Sequence, residues 1–466
     1  MTGRNDRPNI VLINCDDLGY GDLGCYGSTA NRTPALDRMA SEGMRLTDFY
    51  MASPVCSPSR GAMMTGCYPP RIGFGDFARK GDSGPDDRGW VLFPAAPEGL
   101  STDEITVASL LQRQGYATKL VGKWHCGDQA AFLPTRHGFD SYYGLPYSND
   151  MGNQASQINR PPLPLMEDEE PIELQPDQRS LTIRYVEHSV RFMRENRDRP
   201  FFLYLAHMHV HLPHYPPMCF LEHSRNGAYG ASVECIDWSV AVILHELKRL
   251  GLDEDTIVMF TSDNGSRAAE DGGSNDPLRG RKGTCWEGGQ RVPCIVRWPG
   301  RVPAGSTCRE LATAMDVLPT FAALAGAAAP DDRVIDGKDI RPLLLGEPGA
   351  ASAYEALFYY RRRHLRAVRR GPWKLHVATG DRSEPELYNL DDDIGEQDNV
   401  AGSNPDVVAR LDKLADACRE DIGDAAVSAE GRNCRPIGRV VEPKPLAEHD
   451  ENHPYIVAMY DLPQRG

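Results

Sequence analysis

Four short apolar runs constrain the fold most: Asn9 to Asn14, Tyr116 to Val121, Phe201 to Ala206 and Thr256 to Thr261. The first reads Asn-Ile-Val-Leu-Ile-Asn, continuous and β-branched rather than alternating. Such runs are buried on both sides, as strands of a parallel sheet are. Helical stretches lie between them. Pro34 to Gly43 predicts a helix, with Thr33 as N-cap, Pro34 in the first helical position and Gly43 as C-cap. Ser57 to Gly66 predicts another, with Pro58 tolerated in its first turn. Thr102 to Gln114 places Ile105, Ala108 and Leu111 on one face and stops at Gly115. Strands alternating with helices indicate an α/β chain: a mostly parallel sheet with helices on both faces.

The pattern changes near residue 350, after the linker-like Gly346-Glu347-Pro348-Gly349. Ala356–Tyr360, His364–Arg369 and Trp373–Val377 are short and turn-separated, which suits antiparallel pairing, and Asn404–Glu420 reads as a helix packed on them. The expected division is 1–350 for a catalytic α/β domain and 351–466 for a smaller antiparallel-sheet subdomain and tail. From about Asp421 the tail is polar and expected to wrap the surface.

The 51 Lys+Arg against 66 Asp+Glu give a net charge of −15, which argues against nucleic acid and anionic membranes as partners. An anionic substrate would then need positive charge concentrated at its site. No run is apolar enough to span a bilayer, and residues 1–8 lack the apolar stretch of a secretory signal. The expectation is a cytoplasmic chain, or a periplasmic or secreted one if the sequence is a trimmed form. The 12 cysteines are scattered and read as reduced thiols; nothing supports a disulfide between Cys418 and Cys434.

Two acidic pairs follow apolar strands. Asp16-Asp17 follows the first run and Asp263-Asn264-Gly265 the Thr256 run. Alone, the first reads as a polar turn or cap and the second as a turn. At the carboxyl edge of one parallel sheet, however, they would meet. Three carboxylates and an amide oxygen suit a hard cation, Ca²⁺ or Mg²⁺, better than zinc. Cys56-Ser57-Pro58-Ser59-Arg60 stands at a loop-to-helix junction. There a cysteine gains thiolate character from the helix start and Arg60, so the residues alone leave a structural thiol and a cysteine nucleophile both open.

The string Pro54-Val55-Cys56-Ser57-Pro58-Ser59-Arg60, with Thr65-Gly66 beyond it, resembles the signature of the type I sulfatases, in the branch of arylsulfatase A. Gly122-Lys123-Trp124-His125, His211-Leu212-Pro213, Asp263-Asn264-Gly265 and Leu278 to Gly283 leading to Trp286-Glu287-Gly288-Gly289 follow in the family's order. Gly144 to Ser148, Trp373-Lys374-Leu375 and Glu386 to Leu390 extend the likeness from Asn9 to about Asn399. The resemblance implies an alkaline-phosphatase-like fold. It implies that Cys56 is oxidised to formylglycine by a formylglycine-generating enzyme, and that the aldehyde hydrates to a diol. One diol oxygen attacks sulfur. The retained hydroxyl lets the sulfated diol collapse to the aldehyde and expel sulfate, which a serine could not do.

By the same resemblance the metal ligands are Asp16, Asp17, Asp263, Asn264 and the modified Cys56. Arg60 orients the diol. Lys123 pairs with sulfate, His125 is the base for collapse, His211 is the acid for the leaving alcohol, Lys282 bridges leaving oxygen and sulfate, and Ser148 lines the substrate side. The implied substrate is small and sulfated, an aryl sulfate or a sulfated sugar.

The rival readings are a phosphate or phosphonate ester hydrolase of the same superfamily, an unmatured protein that only binds sulfated glycans, and a thiol hydrolase using unmodified Cys56. His207, His209, His211 and His214 are denser than the motif needs. If the first three share a strand face they would suit zinc; a polar lining near the substrate is the preferred reading. Cys15 and Cys285 read as small buried side chains beside the motifs. Arg79 to Gly99 reads as a long loop where substrate shaping could occur.

Overall fold

The computed structural model describes residues 7–78, 89–153, 160–268, 271–378 and 384–455. Of the expected loop Arg79–Gly99, residues 79–88 lie outside this set.

The four apolar runs are adjacent strands, Asn9–Cys15, Ala117–Gly122, Phe201–Ala206 and Thr256–Ser262. They belong to a ten-stranded sheet. In spatial order it runs Ser306–Cys308, Met44–Leu46, Cys294–Arg297, Thr256–Ser262, Asn9–Cys15, Phe201–Ala206, Ala117–Gly122, Ser141–Gly144, Pro164–Glu167 and Glu170–Leu174. The five from Thr256–Ser262 to Ser141–Gly144 are parallel. Cys294–Arg297 and the pair at the far edge join antiparallel.

Alternate residues of each central strand enter different cores. Ile10, Leu12, Leu120, Phe202, Tyr204, Ile257 and Met259 face one side, where Val107, Leu111, Leu318 and Phe321 cover them. Val11, Ile13, Val121, Leu203, Leu205, Val258 and Phe260 face the other, under Leu36, Met39, Tyr185, Phe192, Val233 and Val240. Burial on both faces is why these runs lack polar alternation.

Helix boundaries differ from expectation. Pro34–Ser41 ends before Gly43, with Glu42 as C-cap. The expected 102–114 helix begins only at Val107, because Thr106 caps it by accepting from Ser109 N. Helices Leu181–Glu195 and Gly227–Leu250 carry much of the second core. Contrary to expectation, the latter is long and apolar enough to cross a membrane, yet 72% of its most apolar stretch is buried inside the fold. It packs on the helices Leu181–Glu195 and Pro34–Ser41 and acts as a core helix.

Beyond residue 350, Leu357–Arg361, His364–Arg370, Trp373–His376 and Glu386–Asn389 form an antiparallel sheet, with helix Pro405–Asp421 against it. Its core includes Tyr50, Ala52, Ala62, Tyr68 and Met315 from the first part of the chain. The tail also returns, where Gly438–Arg439 pairs with Glu98–Gly99. All 12 cysteines are free thiols; Cys434 Sγ contacts Ile422 O and Cys418 Sγ contacts Tyr360 Oη.

Candidate active site

Register brings the site together. Cys15 pairs with Ser262, so Asp16-Asp17 emerges beside Asp263-Asn264. Gly122 pairs with Ala206, so Lys123 leaves the same edge next to the segment leading to His211. Gly144 ends the next strand and leads to Ser148. This is the carboxyl edge of the parallel strands, where open α/β sheets bind ligands. Gly122 has φ +113°, and an added Cβ would lie 1.8 Å from Ala206 O, so only glycine permits that exit. Gly265 likewise admits Gly288 O, which would stand 1.9 Å from a Cβ.

Cys56 is the first residue of helix Cys56–Thr65, with Val55 as N-cap, and is buried. Its Sγ occupies the position of the reacting group before any conversion and lies 3.3 Å from Asp16 Oδ1. Ligand atoms of Asp16, Asp17, Cys56 and His211 all lie within 4.8 Å of one another. Asn264 Nδ2 donates to Asp17 Oδ1 at 2.7 Å, while Asn264 Oδ1 is buried without a hydrogen-bond partner. A buried amide oxygen without a donor, among three carboxylates, fits a hard divalent cation.

Three cations answer the three carboxylates. Arg60 Nε and Nη2 reach Asp263 Oδ2 at 2.8 and 2.7 Å, and its Nη1 donates to Lys123 O at 2.9 Å. Lys123 Nζ pairs with Asp16 Oδ2 and donates to Ser148 Oγ at 3.1 Å. Lys282 Nζ lies 2.8 Å from Asp17 Oδ1 and is 11% exposed, on the open side of the site. The set is neutral overall, so a divalent ion would give it net positive charge.

Burial alone would raise the Asp16 carboxyl, but Lys123, Arg60 and Lys282 hold it well below the usual carboxylate range. Asp263 is pushed up to about 6 by burial and by Asp16. Burial and Asp16 also push the Cys56 thiol well above its ordinary value. The surroundings of Cys56 thus oppose the thiolate character expected from the helix start and Arg60.

His125 follows the strand Ala117–Gly122 at φ +61°. Its Nε2 lies 3.0 Å from Leu92 O, and its buried Nδ1 has no partner. Burial and Lys123 hold the ring well below the usual histidine range, so it is neutral. The Nε2–H tautomer assigned from this contact leaves the Nδ1 lone pair free to accept a proton. His211 Nδ1 contacts Leu212 O, and its Nε2 faces Ser148 Oγ at 3.5 Å and Asp17 Oδ2 at 3.8 Å.

The zinc reading is corrected. The strand ends at Ala206, so His207, His209 and His211 share no strand face. His207 Nε2 instead meets Ser239 Oγ at 2.9 Å. Among the described residues only Asp16, Asp17, Cys56 and His211 group as metal ligands. Sequence reading missed the supports: Ser262 Oγ, which accepts from Leu18 N at 2.9 Å, and Asn275, whose Oδ1 accepts from Ser266 N at 2.9 Å. It also missed Ser57 Oγ, which accepts from Leu92 N at 3.1 Å. Ser262 and Asn275 carry no pattern that could have marked them, and Ser57, though inside the Cys56–Arg60 string, carries no sign of its distant partner Leu92.

Fold and site define the class of sulfuric ester hydrolases, and comparison with known proteins agrees. The sulfatase family profile matches residues 8–327, and that of the C-terminal part of N-sulphoglucosamine sulphohydrolase matches 281–420. Mouse steryl-sulfatase is 40% identical over 437 residues, covering 78% of this chain and 69% of that protein. Human arylsulfatase A is 38% identical over 457 residues, covering 87% of each. The solved PsFucS1 sulfatase from Pseudoalteromonas sp. superposes with a TM-score of 0.78 at 28% identity, over 94% of this chain and 93% of that one. The chain belongs to the type I sulfatase family, in the arylsulfatase A-like branch. It is a hydrolase of sulfate esters, and its family uses a metal and a formylglycine.

Proposed function

We propose that this chain hydrolyses small aryl or sugar sulfates through a formylglycine diol made from Cys56, with Ca²⁺ (or Mg²⁺) held by Asp16, Asp17, Asp263, Asn264 and the modified residue. The carrying observation is Cys56 Sγ lying 3.3 Å from Asp16 Oδ1 inside a buried carboxylate group. When bound, the ion supplies positive charge beside the nucleophile and the sulfate oxygens.

The protein's own residues divide the remaining work. Arg60 ties the helix bearing Cys56 to Asp263 and to Lys123 O, which fits a role in aligning the diol. Lys123 and Ser148, 3.1 Å apart, are paired to hold sulfate oxygens. His125 Nδ1 takes the proton of the retained hydroxyl as the sulfated diol collapses. Burial and Lys282 hold the His211 ring below the usual histidine range and its Nδ1–H faces Leu212 O, so Nε2 acts as the acid only after taking up a proton from solvent as the sulfate anion arrives; it then gives that proton to the leaving oxygen. Lys282, on the open side, steadies charge on the leaving oxygen. Maturation would require a formylglycine-generating enzyme that reads Cys56 to Arg60.

The test compares kcat/KM for 4-nitrophenyl sulfate, phosphate and phenylphosphonate. The reading predicts that sulfate is preferred and that Cys56→Ala abolishes turnover. A preference for phosphonate, or activity surviving in Cys56→Ala, would overturn it.

A further inference from the structure

The segment carrying Lys282 is a compact loop that touches the stretches carrying Asp263-Asn264 and Cys56. Lys282 N donates to Ser266 O at 2.9 Å, just beyond Asp263-Asn264. Gly283 N donates to Pro54 O at 2.9 Å, just before Cys56. Gly265 N donates to Gly289 O at 3.1 Å, and Gly288 N to Arg279 O at 2.8 Å. The loop is thus closed on itself and laid against both halves of the site.

Its far end is held by the C-terminal sheet. Glu287 opens the four-residue helix Glu287–Gln290 and is wholly buried. Lys374, from strand Trp373–His376, is equally buried and reaches Glu287 Oε1 at 2.9 Å and Glu396 Oε1 at 2.8 Å. Tyr359 Oη donates to Glu287 Oε1 at 2.8 Å, and Glu287 N donates to Glu396 Oε2 at 2.8 Å. His376 Nε2 meets Glu396 Oε1 at 2.9 Å. Glu396 also holds the loop's near end, because its carbonyl accepts from Arg279 Nη1. Glu396 has φ +50°, a left-handed conformation that a non-glycine residue keeps only when its surroundings impose it.

Two carboxylates, the Lys374 ammonium and the Arg291 guanidinium, whose Nη1 lies 3.3 Å from Glu287 Oε2, are all out of water; such a cluster adds little net stability over apolar packing, and its value here is a fixed geometry. We propose that Lys374, Glu287 and Glu396 are positioning residues that set the Arg279–Gly289 loop, and so place Lys282 in the active site; the C-terminal sheet completes the catalytic centre. This rests on the reading of Lys282 as a group that steadies the leaving oxygen. The backbone bonds of Gly265 to Gly289 and of Gly283 to Pro54 do not involve Lys374, so loss of that ammonium is expected to be read out through Lys282, the side chain the loop places at the leaving oxygen.

The test is a double-mutant cycle with Lys374→Met and Lys282→Ala on the matured enzyme, using aryl sulfates whose phenols differ in pKa. Lys374→Met is expected to lower kcat/KM about 10-fold and to steepen its dependence on phenol pKa. In the Lys282→Ala background it should change neither. Glu396→Gln, which keeps side-chain size, should repeat the pattern if Lys374→Met folds poorly. Additive losses, or equal losses for all leaving groups, would overturn the proposal. If Lys282→Ala itself leaves activity unchanged, the catalytic reading of Lys282 fails instead.

Discussion

His137 offers a direct test of how acid reaches this fold. It is buried, and its ring lies 5.6 Å from that of Trp124, the residue between Lys123 and His125. Neither ring nitrogen has a hydrogen-bond partner. Burial alone pushes it down to about 4, against about 6.5 in an unfolded chain. The unfolded state therefore binds more protons between those values. Stability is full above pH ~6.5, falls as pH drops toward ~4, and levels off below. A shift of about 2.5 units corresponds to about 3 kcal/mol in full, and to about 2 kcal/mol at pH 5. Replacing His137 by Phe removes the titrating group among aromatic neighbours. The assay is the urea midpoint of wild type and His137→Phe at pH 7 and pH 5. The fall between the two should be smaller in the variant by about 2 kcal/mol; His207, His209 and His214 titrate alike in both proteins and cancel. Equal pH dependence in the two proteins would refute the reasoning.

Gly122→Ala should cost most of the activity and several kcal/mol of stability, because its Cβ would stand 1.8 Å from Ala206 O at φ +113°; kcat/KM and a thermal melt report it. Arg60→Met leaves Asp263 and Asp16 facing each other in a buried site, and should destabilise chelator-treated enzyme by about 3–5 kcal/mol, less when a divalent ion is present. Chelation should also abolish binding of inorganic sulfate, since three carboxylates there cancel Arg60, Lys123 and Lys282; titration calorimetry with and without Ca²⁺ measures this.

Much of this was legible in the chain because the physics is local. A strand such as Asn9–Cys15, apolar at every position of its centre, can only be buried on both faces, and acidic pairs at the ends of two such strands meet once those strands are neighbours. The pairing register that brings Asp16 against Asp263 spans 247 residues and is invisible locally. The same holds for Lys374, which reads as an ordinary strand lysine until Glu287 and Glu396 fold against it. The histidine run offered a zinc alternative that the structure removes: period-two spacing marks a strand face only where a strand continues, and this one ends at Ala206. The Cys56 environment also inverted the local expectation, because burial and Asp16, 3.3 Å from the sulfur, oppose the ionisation that Lys123 and Lys282 favour.

The central claim is that Cys56 is a precursor rather than a nucleophile. Mass spectrometry of the tryptic peptide Leu46–Arg60 from active enzyme tests it most directly. The account predicts the aldehyde mass at Cys56, in a fraction that rises in step with specific activity. An unmodified thiol at Cys56 in fully active enzyme would contradict it.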